Sequence, residues 1–306
     1  MNGSEIISLL TNNLSVITTP IAAVVGSLLT SIFLRHNTET EEFEKIKAGK
    51  FKAATETLLK NGKMTYTEFY KAKNFLDVAQ KADEYYSQKI HTQDNITYDF
   101  DWYVRFYEAV GNISNEKMQE IWAKILAGEV DHPGRFSLKS IDILKNISKS
   151  DAELFERLCA CSFSNGSNTF VPNYDEYLKS SDVKYSEILR LDELGLINSS
   201  GLLVLKINVP QGNNIVFCDD KYAVIIRPRD GNLVPIDIKQ FPLTSAGREL
   251  YQIHGVSTPE KCFLSFGAAL AKNKQIEVGI HQVMSINGDH IEYNPINLLV
   301  DDIATE

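Results

Sequence analysis

Residues 113–161 read ISNEKMQEIWAKILAGEVDHPGRFSLKSIDILKNISKSDAELFERLCAC. Apolar residues recur here at intervals of three and four, the spacing of amphipathic helices. Ser114 stands where an N-cap belongs, Met118, Ile121, Trp122, Ile125 and Leu126 form one stripe, and Gly128 suits the C-terminal stop. Ser137 opens a second helix bearing Leu138, Ile141, Leu144 and Ile147. Ser150 with Glu153 makes a capping box for a third, bearing Leu154, Phe155 and Leu158. Three short helices in succession, the first two joined by a link containing Pro133, predict a helical bundle.

Taken together, ISNEKMQEIWAKILAGEV and FSLKSIDILKNISKSDAELFERL resemble the signature of the bacterial Abi-alpha (abortive-infection) family and related uncharacterised bacterial families, over about residues 113–158. The resemblance implies a role in defence against phage, hydrophobic segments elsewhere in the chain, and no established catalytic residues to carry over. In this chain the hydrophobic run is N-terminal and the C-terminal part is longer.

Working towards the N-terminus, Trp102, Tyr103, Phe106, Tyr107 and Val110 share one broad face of a helix, and an aromatic face at helical spacing predicts core. Before it, Thr65 with Glu68 makes a capping box, and Phe69, Ala72, Leu76, Ala79, Asp83, Tyr86 and Ile90 make a heptad stripe interrupted by Asp83. Packing within the chain is the expectation for that stripe, an oligomeric stalk the alternative. A further charged helix carries Phe43, Ile46, Ala54 and Leu58, and Asn61 and Gly62 end it.

No charged residue occurs between Glu5 and Arg35. Residues 1–36 therefore read as a hydrophobic membrane segment. The uncharged run spans about 44 Å as a helix at roughly 1.5 Å per residue, against a hydrocarbon core of about 30 Å. Its positive charges follow the apolar run, which disfavours a cleaved signal and places the bulk of the chain in the cytoplasm of a bacterium, anchored by a single pass through the inner membrane. Pro20 argues for a helix starting there, capped by Thr19 and short for a full crossing at about 22 Å. Small residues recur every fourth position, Ala22, Gly26 and Thr30 on one ridge and Ala23, Ser27 and Ser31 on the next, a pattern that packs membrane helices closely. Lipid and a second copy of the chain are the expected partners; a buried or interfacial helix rich in Ala and Ser is the alternative.

From residue 162 the composition shifts to Asn, Ser, Gly and strand formers. Lys184 to Leu194 reads as a helix, followed by the strand-rich runs LLVLKINV and NIVFCDDKYAVIIRP, and then FPLTSAGRELYQIH. That order resembles a winged-helix domain, in which LxxLGLI precedes the wing and LTxxGrxL opens a closing helix. The matching residues are Leu191, Leu194, Gly195, Leu196 and Ile197, then Leu243, Thr244, Gly247, Arg248 and Leu250. A winged helix binds DNA through a basic helix, whereas this one sets Lys184 and Arg190 against Glu187, Asp192 and Glu193. Protein interaction is therefore expected over nucleic acid. Residues 255–306 add a helix and the hairpin IEVGIHQVMSINGDHIEYNP, whose Asn287-Gly288 favours a tight turn.

The expected architecture is a hydrophobic segment (1–36), a mainly α helical bundle (37–161), an α+β winged-helix-like domain (162–254) and a C-terminal helix and hairpin (255–306). A formal charge of −9 gives no bulk attraction to phosphate. Cys159, Cys161, Cys218 and Cys262 contain no CxxC pair, which argues against a zinc site or disulfide framework and for reduced thiols. Phosphate-binding, zincin and nucleophile-elbow motifs are absent from the sequence, so neither cofactor nor metal is expected. His281 and His290 flank the terminal hairpin and could approach each other, though surface or strand histidines without a metal are the expectation. Arg248 and His254 have the loose R-x(4 to 6)-H spacing of HEPN ribonucleases, a resemblance that implies phosphate stabilisation by the arginine and acid/base transfer by the histidine. The leading expectation is a non-enzymatic, membrane-anchored, cytoplasm-facing anti-phage defence protein, an oligomerising effector that disrupts the membrane when a phage or host protein triggers it. The alternatives are a soluble winged-helix regulator associated with nucleic acid, and a ribonuclease using Arg248 and His254.

Overall fold

The structure, a computed structural model, describes residues 60, 65–87, 99–165, 168–201, 203–287, 290–294 and 298–299. It divides into two compact units, Met1–Asn146 and Ile147–Glu306. Helices precede two antiparallel sheets, so the α+β order expected from the sequence holds over the described residues.

The first unit contains α1 (Tyr66–Ser87), α2 (Phe100–Val110), α3 (Glu116–Asp131) and α4 (Leu138–Asn146). Asp99 caps α2 by accepting from the backbone N–H of Asp101 and Trp102. The expected aromatic face is core: Trp102 stacks on Phe106 with centroids 5.1 Å apart, and Phe106 meets Trp122 edge-on at 5.3 Å. Helix α1 packs along α3, burying Phe75, Val78, Ala79 and Ala82. Of the heptad stripe only Ala79 can be located; the side chains of Phe69, Ala72, Leu76, Asp83 and Tyr86, and all of Ile90, lie outside the described residues. At the polar margin of this contact, Lys81 Nζ and Tyr85 OH each donate to the Glu120 carboxylate at 2.6 Å.

Three expected helix boundaries move. Asn115, not Ser114, caps α3 by accepting from Met118 N. Gly128 does not end α3, which continues to Asp131; a Cβ on Gly128 would lie 2.8 Å from the Phe136 ring, so glycine is needed for close approach. The third helix, α5 (Lys149–Ala160), starts with a capping box of Ser148 and Asp151, two residues before the Ser150–Glu153 pair read from the sequence, and it belongs to the second unit. The α3–α4 link is held from inside: the buried Glu129 carboxylate accepts from Gly134 N at 2.6 Å and Phe136 N at 2.9 Å, while Trp102 Nε1 donates to Phe136 O at 2.7 Å.

In the second unit α5 leads into β1 (Phe163–Ser164), β2 (Thr169–Pro172), α6 (Asp175–Ser180) and α7 (Tyr185–Glu193). Strands β3 (Leu203–Val209), β4 (Ile215–Cys218), β5 (Tyr222–Pro228) and β6 (Val234–Pro242) follow, then α8 (Ser245–Tyr251), α9 (Glu260–Ala271), β7 (Ile276–Asn287), β8 (His290–Tyr293) and β9 (Leu298–Leu299). One sheet runs β1-β2-β6-β3; the other runs β4-β5-β7-β8, with β9 also on β7. The chain thus leaves the first sheet after β3, makes β4 and β5 in the second, and returns as β6. Helix α9 packs on β5, β7 and α6. Between these elements sits an aromatic core in which Phe163 contacts Phe266 at 4.5 Å and Phe263 at 5.2 Å, and Phe170 meets Phe217 at 5.8 Å.

The expected single-pass inner-membrane location is corrected. Among the described residues no helix is long and apolar enough to cross a membrane. The 22-residue α1 is long enough but carries Lys71, Lys73, Asp77, Lys81 and Glu84, charges that a hydrocarbon core excludes. The run Leu14–His36, on which the expectation rested, lies outside the described residues.

Candidate interaction face around helix α7

The two motifs that bracket the winged-helix resemblance meet in space. Thr244 Oγ1 donates to Gly195 O at 2.6 Å, Thr244 N to Leu196 O at 3.1 Å, and Asn198 N to Pro242 O at 2.8 Å, while Ile197 pairs with Leu243. Gly247 lies directly against Leu196 O, where any Cβ would collide with the carbonyl. Thr244 also caps α8 by accepting from Gly247 N. These residues form a backbone lock that fixes the end of α7 against the start of α8. Leu191, Leu196, Ile197, Leu243 and Leu250 are all buried beneath it.

Helix α7 is amphipathic: Ile188 and Leu191 point inward, while Tyr185 and Leu189, one turn apart, are 55% and 42% exposed. The Tyr185 ring leans towards Phe241 of β6 at 6.2 Å. Its arginine is engaged. Arg190 grips Asp151 with two bonds, Nε to Oδ1 at 2.9 Å and Nη2 to Oδ2 at 3.1 Å, and lies 3.5 Å from Glu193. Arg157 of α5 meets Glu187 at 2.6 Å, and Glu187 also accepts from Lys184 N. The Arg190 guanidinium, with the Ser148 hydroxyl and N–H, pulls the Asp151 carboxyl down to about 2. The result is a charge-balanced face with an apolar ridge at its centre.

A cleft of about 510 Å³ lies between the start of α6 and the end of α9, bordered by Asp175, Glu176, Asp237, Lys239 and Lys272. Lys272 crosses it to Glu176 at 2.9 Å, and Tyr174 OH accepts from Lys239 N at 3.3 Å. Burial pushes the Tyr174 phenol up. Among the described residues no cluster of three His, Cys, Asp or Glu is arranged to hold a metal ion.

A family described as a protein of unknown function, DUF2806, matches residues 61–265. The chain belongs to the DUF2806 family. No curated protein and no solved structure matches it. The DUF2806 match takes in α1 through the first half of α9, so the α7 face lies within it and β7, β8 and β9 lie beyond it.

Within this DUF2806 chain the residues expected to do chemistry are separately engaged. Arg248 Nη1 donates to Leu243 O at 3.0 Å, whereas His254 Nδ1 contacts Tyr251 O and its ring packs on Tyr251. His281 is buried beside Tyr293, its Nδ1 3.2 Å from Asn294 O, and burial pulls its pKa down. His290 pairs with Asn287 at the far end of the hairpin, about 20 Å along the strand at ~3.3 Å per residue, so the two histidines do not meet. Ala22, Ala23, Gly26, Ser27, Thr30 and Ser31 lie outside the described residues. Sequence reasoning missed Asp151, although a Ser-x-x-Asp spacing from Ser148 was there to read. It also missed the contact of Cys161 with Cys262, for which a separation of 101 positions leaves no local signal.

Proposed function

We propose that this chain is a non-enzymatic assembly module whose α7 face binds protein rather than nucleic acid. The observation that carries the reading is the engagement of Arg190 by Asp151 and of Arg157 by Glu187. Nucleic-acid affinity rests on cations free to displace counterions from phosphate, and these are already neutralised by carboxylates. The ridge of Tyr185 and Leu189 supplies the apolar centre that protein interfaces favour. A winged-helix-like reading of residues 162–254 is supported by the order of β2, α6, α7, β3 and β6 and by the adjacency β2-β6-β3. The abortive-infection setting rests on the resemblance over residues 113–158, with a second copy of the chain or a phage or host protein as partner.

The test uses the full chain with a photo-crosslinking residue at position 185, in cells with and without phage. A discrete protein adduct is expected, abolished by Leu189→Asp, together with loss of any protection from phage in that variant. In parallel, duplex DNA and single-stranded RNA are titrated at low salt. Nanomolar, steeply salt-dependent binding that falls in Lys184→Ala would overturn the proposal in favour of a nucleic-acid regulator. RNA cleavage lost in both Arg248→Ala and His254→Ala would overturn its non-enzymatic part.

A further inference from the structure

We propose that Cys161 and Cys262 form an oxidisable dithiol, a modification site at which a small uncharged peroxide closes a disulfide between the end of α5 and the first turn of α9. The two sulfurs are 3.6 Å apart although the residues are separated by 101 positions. Both are buried, Cys161 at 5% and Cys262 at 0% exposure, and both are free thiols. Their backbones are held on each side. Cys161 N donates to Leu158 O at 3.0 Å, its carbonyl accepts from Tyr177 OH at 2.6 Å, and its thiol points to Ser181 O at 3.7 Å. Cys262 N donates to Pro259 O at 2.9 Å. The sulfur contact is therefore built into the packing of α5, α6 and α9.

The two thiols are not equivalent. The contact with Cys161 draws the Cys262 thiol below its ordinary value against the opposing effect of burial, and Tyr177 and Lys261 act with it. Cys161 is pushed up by the same contact and by burial. Cys262 also lies in the first turn of a twelve-residue helix, where the helix dipole favours a thiolate. Cys262 is thus the attacking sulfur and Cys161 the resolving one. The Cys262 thiolate attacks one peroxide oxygen, the O–O bond breaks, and with one proton taken up a sulfenic acid and water result. The Cys161 sulfur then attacks the Cys262 sulfur, its proton leaves with the departing hydroxyl as a second water, and the S–S bond forms. Two thiols lose their hydrogens and one peroxide becomes two waters. Burial of both sulfurs excludes glutathione disulfide and protein oxidants, which must reach a sulfur in line to exchange with it.

The experiment treats the full reduced chain with hydrogen peroxide, then denatures, alkylates and maps peptides by mass spectrometry. The expected product joins the Cys161 and Cys262 peptides, with Cys159 and Cys218 still alkylated. Glutathione disulfide at the same concentration should give at least about tenfold less of this product, as burial predicts. In Cys161→Ser the link is absent and Cys262 is trapped as sulfenic acid by dimedone. In Cys218→Ser, which alters a half-buried thiol away from the pair, the link forms as in wild type. The proposal is overturned if peroxide leaves all four thiols alkylatable, consumes Cys218 first, or carries Cys161 and Cys262 to separate sulfinic acids without joining them. The wild-type peptide map decides the matter even where a variant fails to fold.

Discussion

Asp151 performs two tasks with one carboxylate. It closes the capping box of α5, accepting from Ser148 N at 3.0 Å, and it neutralises Arg190 through two bonds. Its pKa in the folded chain lies near 2, below the ordinary 3.8. The unfolded chain therefore binds the proton more readily, so the stabilisation is complete above about pH 4 and drains away as pH falls towards about 2. Asp151→Asn should cost about 1 kcal/mol at neutral pH through the weakened cap and flatten this acid limb. The half-exposed guanidinium is screened by water and adds a fraction of that. Urea midpoints measured over a pH series check both; an unchanged acid limb would show that the pair is idle. Asp151 was hidden in the sequence because its ion-pair partner lies 39 positions away, and because Ser148 and Ser150 offer competing caps.

At the scale of elements, the α3–α4 link depends on a carboxylate buried at its centre. Desolvation pushes Glu129 up, and the N–H groups of Gly134 and Phe136 hold it back. Because the folded value is raised, this group's contribution to stability falls as pH climbs from the ordinary glutamate range through that raised value. Glu129→Gln removes this dependence, but its amide NH₂ faces a donor already in place. One buried N–H is left unmatched, and a loss of about 1–3 kcal/mol is expected, read from thermal or urea unfolding. Elements with clean periodicity were legible: α7 runs one residue inside each expected end, and α2 buries most of the face assigned to it. Strand β6 was not. Its sequence VPIDIKQFP has prolines near both ends, which argues for an edge, yet it is central, with Pro235 opposite Asn208 and Pro242 opposite Phe170. Each proline sits where only one neighbouring strand is paired, so the missing N–H costs little. The α7 face was half legible: its mixed charge could be read, but the partners of those charges come from α5.

At the scale of the whole molecule, two compact units predict two cooperative unfolding steps in calorimetry, one of them reproduced by a fragment of residues 147–306. Peroxide closure of Cys161 to Cys262 should raise only that step, by about 2–4 kcal/mol, because the cross-link lies wholly within the second unit. A single transition, or movement of both, would contradict the division. The second unit also has a direction in time. Strand β5 pairs with β4 on one edge and with β7 on the other, and β7 begins at Ile276, well after β5 ends at Pro228. During synthesis at roughly 5–20 residues per second, the ribosome therefore exposes an open apolar strand edge, Ala223 to Ile226, for some seconds before its mate is made. Such an edge invites pairing with other chains. A message cut short before β7 yields a product prone to aggregate rather than a protein that merely lacks its tail.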